Sequence, residues 1–347
     1  MNLLTRVTSS NFFIRLKSWE YWPFGVLQAP LVFYWVWLSL KARSPVFFSA
    51  SNPGILMGGM FGESKFEVLE KVPASVKPVT LFVKQPSGID EIMQRMEIAG
   101  LHFPVIAKPD LGERGWMVKR INSQRQLDDY LSAIKLDFLI QDLVDLPLEF
   151  GVFYVRYPDE PAGRVTSIVG KEMLSITGDG RKTWRELILE KERARLQWEV
   201  LQNVYKDKLD DKPGAGETIE LISIGNHCLG TKFLNRNDLI TPELSSSFDR
   251  ISKQVDGFYF GRFDLRTASY EDLAMGRVKV LELNGCGAEP AHIYQPGFSF
   301  LKALAVMFKH WSDMYRISVE NHKHGVAYIS FREARSIFRK FRSLTAA

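Results

Sequence analysis

The sequence is poor in cysteine. Only Cys228 and Cys286 occur in 347 residues, far apart and outside any Cys-x-x-Cys or Cys/His spacing, which excludes a disulfide framework and a structural zinc site. A reducing cytoplasm is the expected compartment. Internal repeats and low-complexity tracts are also lacking. Excess charge is small: 45 Lys and Arg stand against 40 Asp and Glu, a net +5, with no recognised nucleic-acid module beside it, so no nucleic-acid partner is expected. A chain that is 46% hydrophobic and 24% charged folds rather than staying disordered. Its length suits two or three packed subdomains. Oligomeric state is not written in it, and a homodimer stays open.

Charge is missing altogether from residues 21–40, YWPFGVLQAPLVFYWVWLSL, a length that spans a bilayer as a helix. Pro23, Pro30 and Gln28 argue against an unbroken spanning helix, and no small-residue cleavage site follows to make it a signal peptide. The first reading is a buried or partner-facing segment of an N-terminal lobe. An interfacial membrane contact through Trp and Tyr ranks second and would imply a lipid-like substrate; a transmembrane helix ranks third. In the tail, Arg332, Arg335, Arg339, Lys340 and Arg342 alternate with Phe331, Ile337, Phe338 and Phe341. That pattern predicts a basic amphipathic helix, packed on the domain by its apolar face or, as the alternative, peripheral at a membrane surface.

Along the chain, residues 45–48 read as a short strand, leading into the Gly- and Ser-rich stretch SASNPGILMGGMFGESK and a helix over 65–70. That stretch either holds a substrate carboxylate or phosphate or is an ordinary turn; it lacks P-loop and dinucleotide spacing. Pro73 and Pro78 mark a lobe boundary. Beyond it come a strand (79–83), a helix (89–98), the strand FPVIAKPD, a turn, a helix (127–134) and the strand FLIQDLV. From 149 strands dominate: FGVFYVRYP, GRVTSIVGKEML, DGFYFGRFDLR and RVKVLELNG. Residues 183–208 read as one helical run, and a last helix is expected over about 298–315. The expected lobes are 1–78, 79–145 and 146–325, with a tail at 326–347.

The sharpest constellation is GRFDLR (261–266) followed by VLELNG (280–285). Residues two apart on a strand face the same way, so Glu282 and Asn284 present oxygen together while Leu281 and Leu283 face a core. Asp264 lies opposite if 270–277 forms the connection. Three hard oxygen donors suit Mg²⁺, with Mn²⁺ as the alternative ion; a polar hairpin face without metal is the competing reading. Arg262 and Arg266 share the face of Asp264, where phosphate charge would sit. Lys108 and Lys171, each on an otherwise apolar strand, could grip a triphosphate from two sides.

In order, the strand lysine Lys108, the turn glycines Gly112 and Gly115, the hinge 141–144, Glu149, the strand lysine Lys171, Arg262-x-Asp264 and Glu282-x-Asn284 resemble the ATP-grasp superfamily over residues 79–300. Within it the closest resemblance is to the D-alanine–D-alanine ligase-like group of carboxylate–amine ligases. The resemblance implies a mixed α+β fold in which two lobes grip ATP beside an N-terminal substrate lobe. It implies that Gly112 and Gly115 belong to a turn over the phosphates, that Gln141, Asp142 and Val144 line the adenine, and that Glu149 binds the ribose. Asp264, Glu282 and Asn284 would hold two Mg²⁺, and Arg262 would steady the transferred phosphoryl group. Asn226, Gly230 and Lys232 fall where relatives carry residues near that phosphate. His227 is either part of this group or a core histidine. Cys286 has no base partner that would make it a nucleophile.

The implied reaction activates a carboxylate as an acyl phosphate with ATP and joins it to an amine. Two features differ from the D-alanine ligases: a longer connection between Asp264 and Glu282, and an N-terminal lobe unlike their substrate lobe. The small-molecule carboxylate and amine are therefore left open. The alternatives are a kinase on the same fold, acting on a small molecule or lipid head group, and a non-catalytic nucleotide-binding protein at a membrane.

Overall fold

The computed structural model describes residues 16, 18–22, 24–112, 115–222, 225 and 230–345. The uncharged segment is a helix, α1 (Phe24–Ala42), continuous through Pro30. Among the described residues, no helix is long and apolar enough to cross a membrane. Instead Leu31 and Leu38 are buried, and Tyr34 donates or accepts a hydrogen bond with Ser312 at 2.6 Å, tying α1 to the C-terminal helix described below. The strand expected at 45–48 is a buried 3-10 turn, Phe47–Ala50. Its carbonyls point at that same helix, where Ser318 and Asn321 donate to Phe47 and Ala50, so no strand partner is needed. A short helix α2 (Lys65–Glu70) follows, capped by the Ser64 hydroxyl, which accepts from the Glu67 amide.

Two antiparallel sheets come next. The first holds β1 (Thr80–Val83), β2 (Val105–Pro109), β3 (Lys119–Ile121) and β4 (Phe138–Asp142) in the order β1-β4-β2-β3. Helices α3 (Ile89–Ile98) and α4 (Gln124–Ala133) cover one face of it. Val105 and Ala107 enter that core with Leu127 and Phe138, and strand alternation turns Lys108 to the other side.

The second sheet is built from β5 (Leu148–Val155), β6 (Arg164–Glu172) and, beyond a small two-stranded sheet of β7 (Ser175–Thr177) and β8 (Thr218–Glu220), β9 (Lys232–Asn235). The run 183–208 breaks into α5 (Trp184–Glu190), α6 (Glu192–Arg195) and α7 (Trp198–Val204). A capping box joins Thr183 and Glu186 at the start, and Lys191 adopts an extended conformation that ends α5. Then follow α8 (Pro242–Lys253), β10 (Phe260–Thr267), α9 (Tyr270–Met275) and β11 (Lys279–Asn284). The sheet order is β11-β10-β5-β6-β9, with every neighbour antiparallel. The fold is mixed α+β.

Each central strand of this sheet serves two purposes. Phe150 and Val152 on β5, with Phe263 and Leu265 on β10, pack under the sheet with Phe248 of α8. On the opposite face Phe153 and Phe260 join a second core with Leu38 of α1 and Met314, while Glu149, Arg262, Asp264 and Arg266 farther along the same faces stay clear of both cores. The last expected helix runs longer than its sequence signal, as α10 (Phe300–Lys323). The tail is α11 (Phe331–Thr345); Ala334 is buried, Ile337 is half-buried, and the basic residues are exposed. Phe61 packs edge-on against Phe338, with ring centroids 5.4 Å apart. The tail thus lays part of its apolar side on the domain, while Phe331 and Phe338 stay exposed.

Candidate active site

The two sheets face each other across a cleft of about 1060 Å³. From the first sheet, Lys108 reaches across it. Its ammonium donates to Gln141 Oε1 at 3.1 Å and to the Leu281 carbonyl on β11 at 2.9 Å. That carbonyl is available because β10 and β11 slip by one residue: Asp264 pairs with Glu282 but Leu265 pairs with Val280. Leu281 is the extra residue of this bulge. The even alternation expected there, with Leu281 in a core, is corrected by it. Val280 and Leu283 enter the core, whereas Leu281 lines the cleft. Gln141, expected at the adenine, lines the cleft; its side chain is 2% exposed, donates to Thr80 (3.1 Å) and Leu281 (3.4 Å), and accepts from Lys108.

From the second sheet comes a charged cluster. Arg262 grips Asp264 with two parallel bonds of 3.1 and 2.9 Å, and Asn284 donates to the same carboxylate at 3.0 Å. Lys171 bridges Asp264 (3.4 Å) and Glu149 (3.0 Å). Glu149 also accepts from Arg266 at 3.0 Å, and Arg266 donates to the Val144 carbonyl at 3.2 Å. Burial pushes the Asp264 carboxyl up, but Arg262 and Lys171 more than offset it and hold the group below the usual carboxylate range. Burial likewise works against the charge on Lys171, and Asp264 with Glu149 more than restores it. For Lys108 the compensation falls short. Burial brings it down from 10.5 to about 8, with Glu282 opposing.

Several positions escaped the sequence. Gly151 lies opposite Asp264, and a Cβ there would come within 3.1 Å of both Arg262 Cδ and Asp264 Oδ1, so the ion pair requires its absence. Gly225 closes over Glu149 and Lys171; a Cβ would sit 2.1 Å from Glu149 Oε1. Lys65 donates to the Gly112 carbonyl and lies 3.6 Å from Glu282. None of these carries a local signature, since each depends on which strands become neighbours. In the 49–65 stretch, Gly58 and Gly59, with φ of +66° and +78°, accept from the Cys286 and Gly287 amides at 2.9 and 2.8 Å, backbone against backbone, and Gly59, Met60 and Glu63 line the cleft.

Asp142, Val144, Gly112 and Gly115 line the cleft. Lys232 does not; its ammonium pairs with Glu172 at 3.4 Å. Gly230 is close to Leu174, outside the cleft lining. Asn226, His227 and Cys228 lie outside the described residues. Cys286 is buried, and burial pushes its thiol far up, out of reach of nucleophilic use.

Asp264, Glu282 and Asn284 form a donor set of two carboxylates and an amide on adjoining strands. Among the described residues, no cluster of three His, Cys, Asp or Glu side chains could hold a metal alone. Hard oxygen donors of this kind suit an ion such as Mg²⁺ that completes its shell with a ligand's phosphate oxygens and water; here Arg262 and the Asn284 amide occupy both Asp264 oxygens. Glu282 is the more open of the two carboxylates, its side chain 32% exposed.

No protein-family model and no curated protein matches the chain. Solved structures do. One is a bifunctional glutathione synthetase from Pasteurella multocida (15% identity, TM-score 0.37, 70% of this chain and 35% of that one). A second is the VanG D-Ala:D-Ser ligase from Enterococcus faecalis (14%, 0.41, 74% and 62%). A third is the D-alanine–D-alanine ligase from Bacillus anthracis complexed with ATP (12%, 0.43, 78% and 71%). These include the ligases that the sequence resembles. The chain spans about a third of the first structure's length and 62% of the second's, and what it does has to be read from the cleft.

Proposed function

We propose that the chain is an ATP-dependent, ADP-forming ligase that activates a carboxylate as an acyl phosphate and joins it to an amine. One observation carries this reading. Lys108 from one sheet and Lys171 from the other converge on a single cleft whose floor holds Arg262 and Arg266 beside Asp264, Glu282 and Asn284. With Lys65, five cations gather around Glu149, Asp264 and Glu282, donors suited to a polyphosphate, while the lining also holds Arg120 and six further carboxylates. Ile106, Val118, Leu143 and Leu281 make an apolar slot next to the hinge carbonyls, which suits a purine.

Chemistry follows from placement. A substrate carboxylate oxygen attacks the γ-phosphorus, forming an O–P bond as the β,γ-bridging P–O bond breaks and ADP leaves. An amine then attacks the acyl carbon; the C–N bond forms, the carbon–oxygen bond to phosphate breaks, and phosphate and a proton depart. Lys108 and Lys171 hold the phosphates from two sides. Arg262, fixed in orientation by Asp264, presents its remaining N–H to charge that develops on the transferred group. Bound Mg²⁺, held by Asp264, Glu282 and Asn284, would neutralise phosphate charge. Glu149 positions Lys171 and Arg266, and with both oxygens occupied this is its main task; contact with a ribose would be additional.

The test is ADP and phosphate release with pooled carboxylates and amines in the presence of Mg²⁺. Release should require both substrates and vanish in Lys171→Met. A stable phosphorylated alcohol in place of a condensed product would replace the ligase by a kinase.

A further inference from the structure

The far end of the cleft is built from residues that phosphate transfer does not use. Trp19 and Trp22, just before α1, meet Tyr294 and Phe300 there. The Trp19 ring lies 5.5 Å from Tyr294 and 5.9 Å from Phe300, and Trp22 lies 5.5 Å from Phe300. This wall is held in place: the Trp19 indole N–H donates to the Phe298 carbonyl at 2.5 Å, and Phe300 opens the long helix α10. The rings reach the cleft only because α1 docks on α10.

A carboxylate sits between this wall and the phosphate end. Glu289 lines the cleft, accepts from the Gln28 amide at 2.7 Å and from the Tyr294 hydroxyl, and its backbone carbonyl accepts from Arg262 at 3.2 Å. It is thus fixed on one side to the aromatic wall and on the other to the arginine that grips Asp264. Arg193 is paired with Glu20 at 2.8 Å and lies over the Tyr21 ring at 5.3 Å. Carboxylates and ring faces both attract cations, and neither attracts an anion.

We propose that this end binds the acceptor, and that the acceptor is a cationic amine on an aromatic or apolar body, its ammonium against Glu289 and its body against Trp19, Trp22 and Phe300. Its role as acceptor rests on the ligase reading above. Glu289 first takes one proton from the ammonium; the freed nitrogen pair then bonds the acyl carbon, phosphate leaves with the electron pair of the broken carbon–oxygen bond, and the second N–H proton goes to the released phosphate while Glu289 returns its own to water.

Calorimetry on the full chain without nucleotide tests this directly, using 4-phenylbutylamine, 4-phenylbutanoate and propylamine as probes. The arylamine should bind at least about tenfold more tightly than the other two. Glu289→Gln should weaken it by about tenfold, Trp22→Ala by roughly fivefold or more, and Glu289→Asp should recover part of the loss. Far-ultraviolet spectra and retained nucleotide binding establish that the variants fold. Equal or tighter binding of 4-phenylbutanoate, or no change in folded Glu289→Gln, overturns the proposal. Arylamine binding with no ADP formed from any carboxylate pool supports the amine site and overturns the ligase reading. ADP formed with glycine-type acceptors and no arylamine binding does the reverse.

Discussion

Replacing Lys108 by Met separates a lysine kept for a phosphate from one kept for the fold. Burial lowers this lysine from 10.5 to about 8. At about 1.4 kcal/mol per unit, holding it charged at pH 7 costs the folded state about 3 kcal/mol. Met keeps the stem and removes that cost, but strips two acceptors, Gln141 Oε1 and the Leu281 carbonyl, of a donor at roughly 1–2 kcal/mol each. The terms nearly cancel, so the variant should match wild type within about 1.5 kcal/mol at pH 7. The sign with pH is fixed. Below about pH 8 the lysine is charged in both states and the cost is fully present; between about 8 and 10.5 the folded state is neutral while the unfolded chain keeps its proton, so wild type gains stability as pH rises and the variant does not. Nucleotide affinity should fall by roughly 10–100-fold with the lost charged contact. Urea unfolding at pH 7 and 9.5, with nucleotide titration by calorimetry, measures both. A variant several kcal/mol less stable at pH 7 that binds nucleotide like wild type would make Lys108 a structural tie between the sheets and refute the reasoning.

Glu149→Gln leaves Lys171 and Arg266 facing each other over a neutral amide; breaking this buried cluster should cost about 3 kcal/mol and lower the thermal midpoint by roughly 5–10 °C, and an unchanged midpoint would contradict the pairing. Gly59→Ala should be more damaging to folding than its size suggests, because its φ is +78° and the new Cβ would lie 2.6 Å from Gly285 Cα; soluble yield and midpoint report it, and a variant as stable as wild type would show that the two loops are not in contact. Burial lowers His310 to about 3 against the Ala288 backbone contact, so the neutral ring stabilises the fold above about pH 6.5 and the benefit is lost as pH falls toward 3. His310→Phe, between the Phe153 and Phe260 rings, should flatten the acid side of the stability curve; an unchanged slope from pH 6.5 to 4 would count against a buried neutral ring.

Strand alternation alone brought Glu282 and Asn284 to one face, and the Arg262/Asp264/Arg266 spacing was legible in the same way. The bulge at Leu281 was not, because period two presumes no inserted residue. Lys171 and Glu149 were visible as polar residues on apolar strands. Their pairing was not, since it arises only when β5 lies between β10 and β6. The breaks at Lys191 and the 3-10 turn at Phe47 were hidden because helix-forming residues continue through the first and apolar residues fill the second. Trp19 and Trp22 read as part of an aromatic stretch; only docking of α1 on α10, across more than 250 residues of sequence, delivers them to the cleft.

Hydroxylamine trapping tests the central claim most directly. With ATP, Mg²⁺ and a pool of carboxylates, the protein should release ADP and yield a hydroxamate in matching amounts, and Lys171→Met should yield neither. ADP formed in step with a stable phosphate ester and no hydroxamate, or no ATP bound at all, would contradict acyl-phosphate chemistry in the cleft between Lys108 and Lys171.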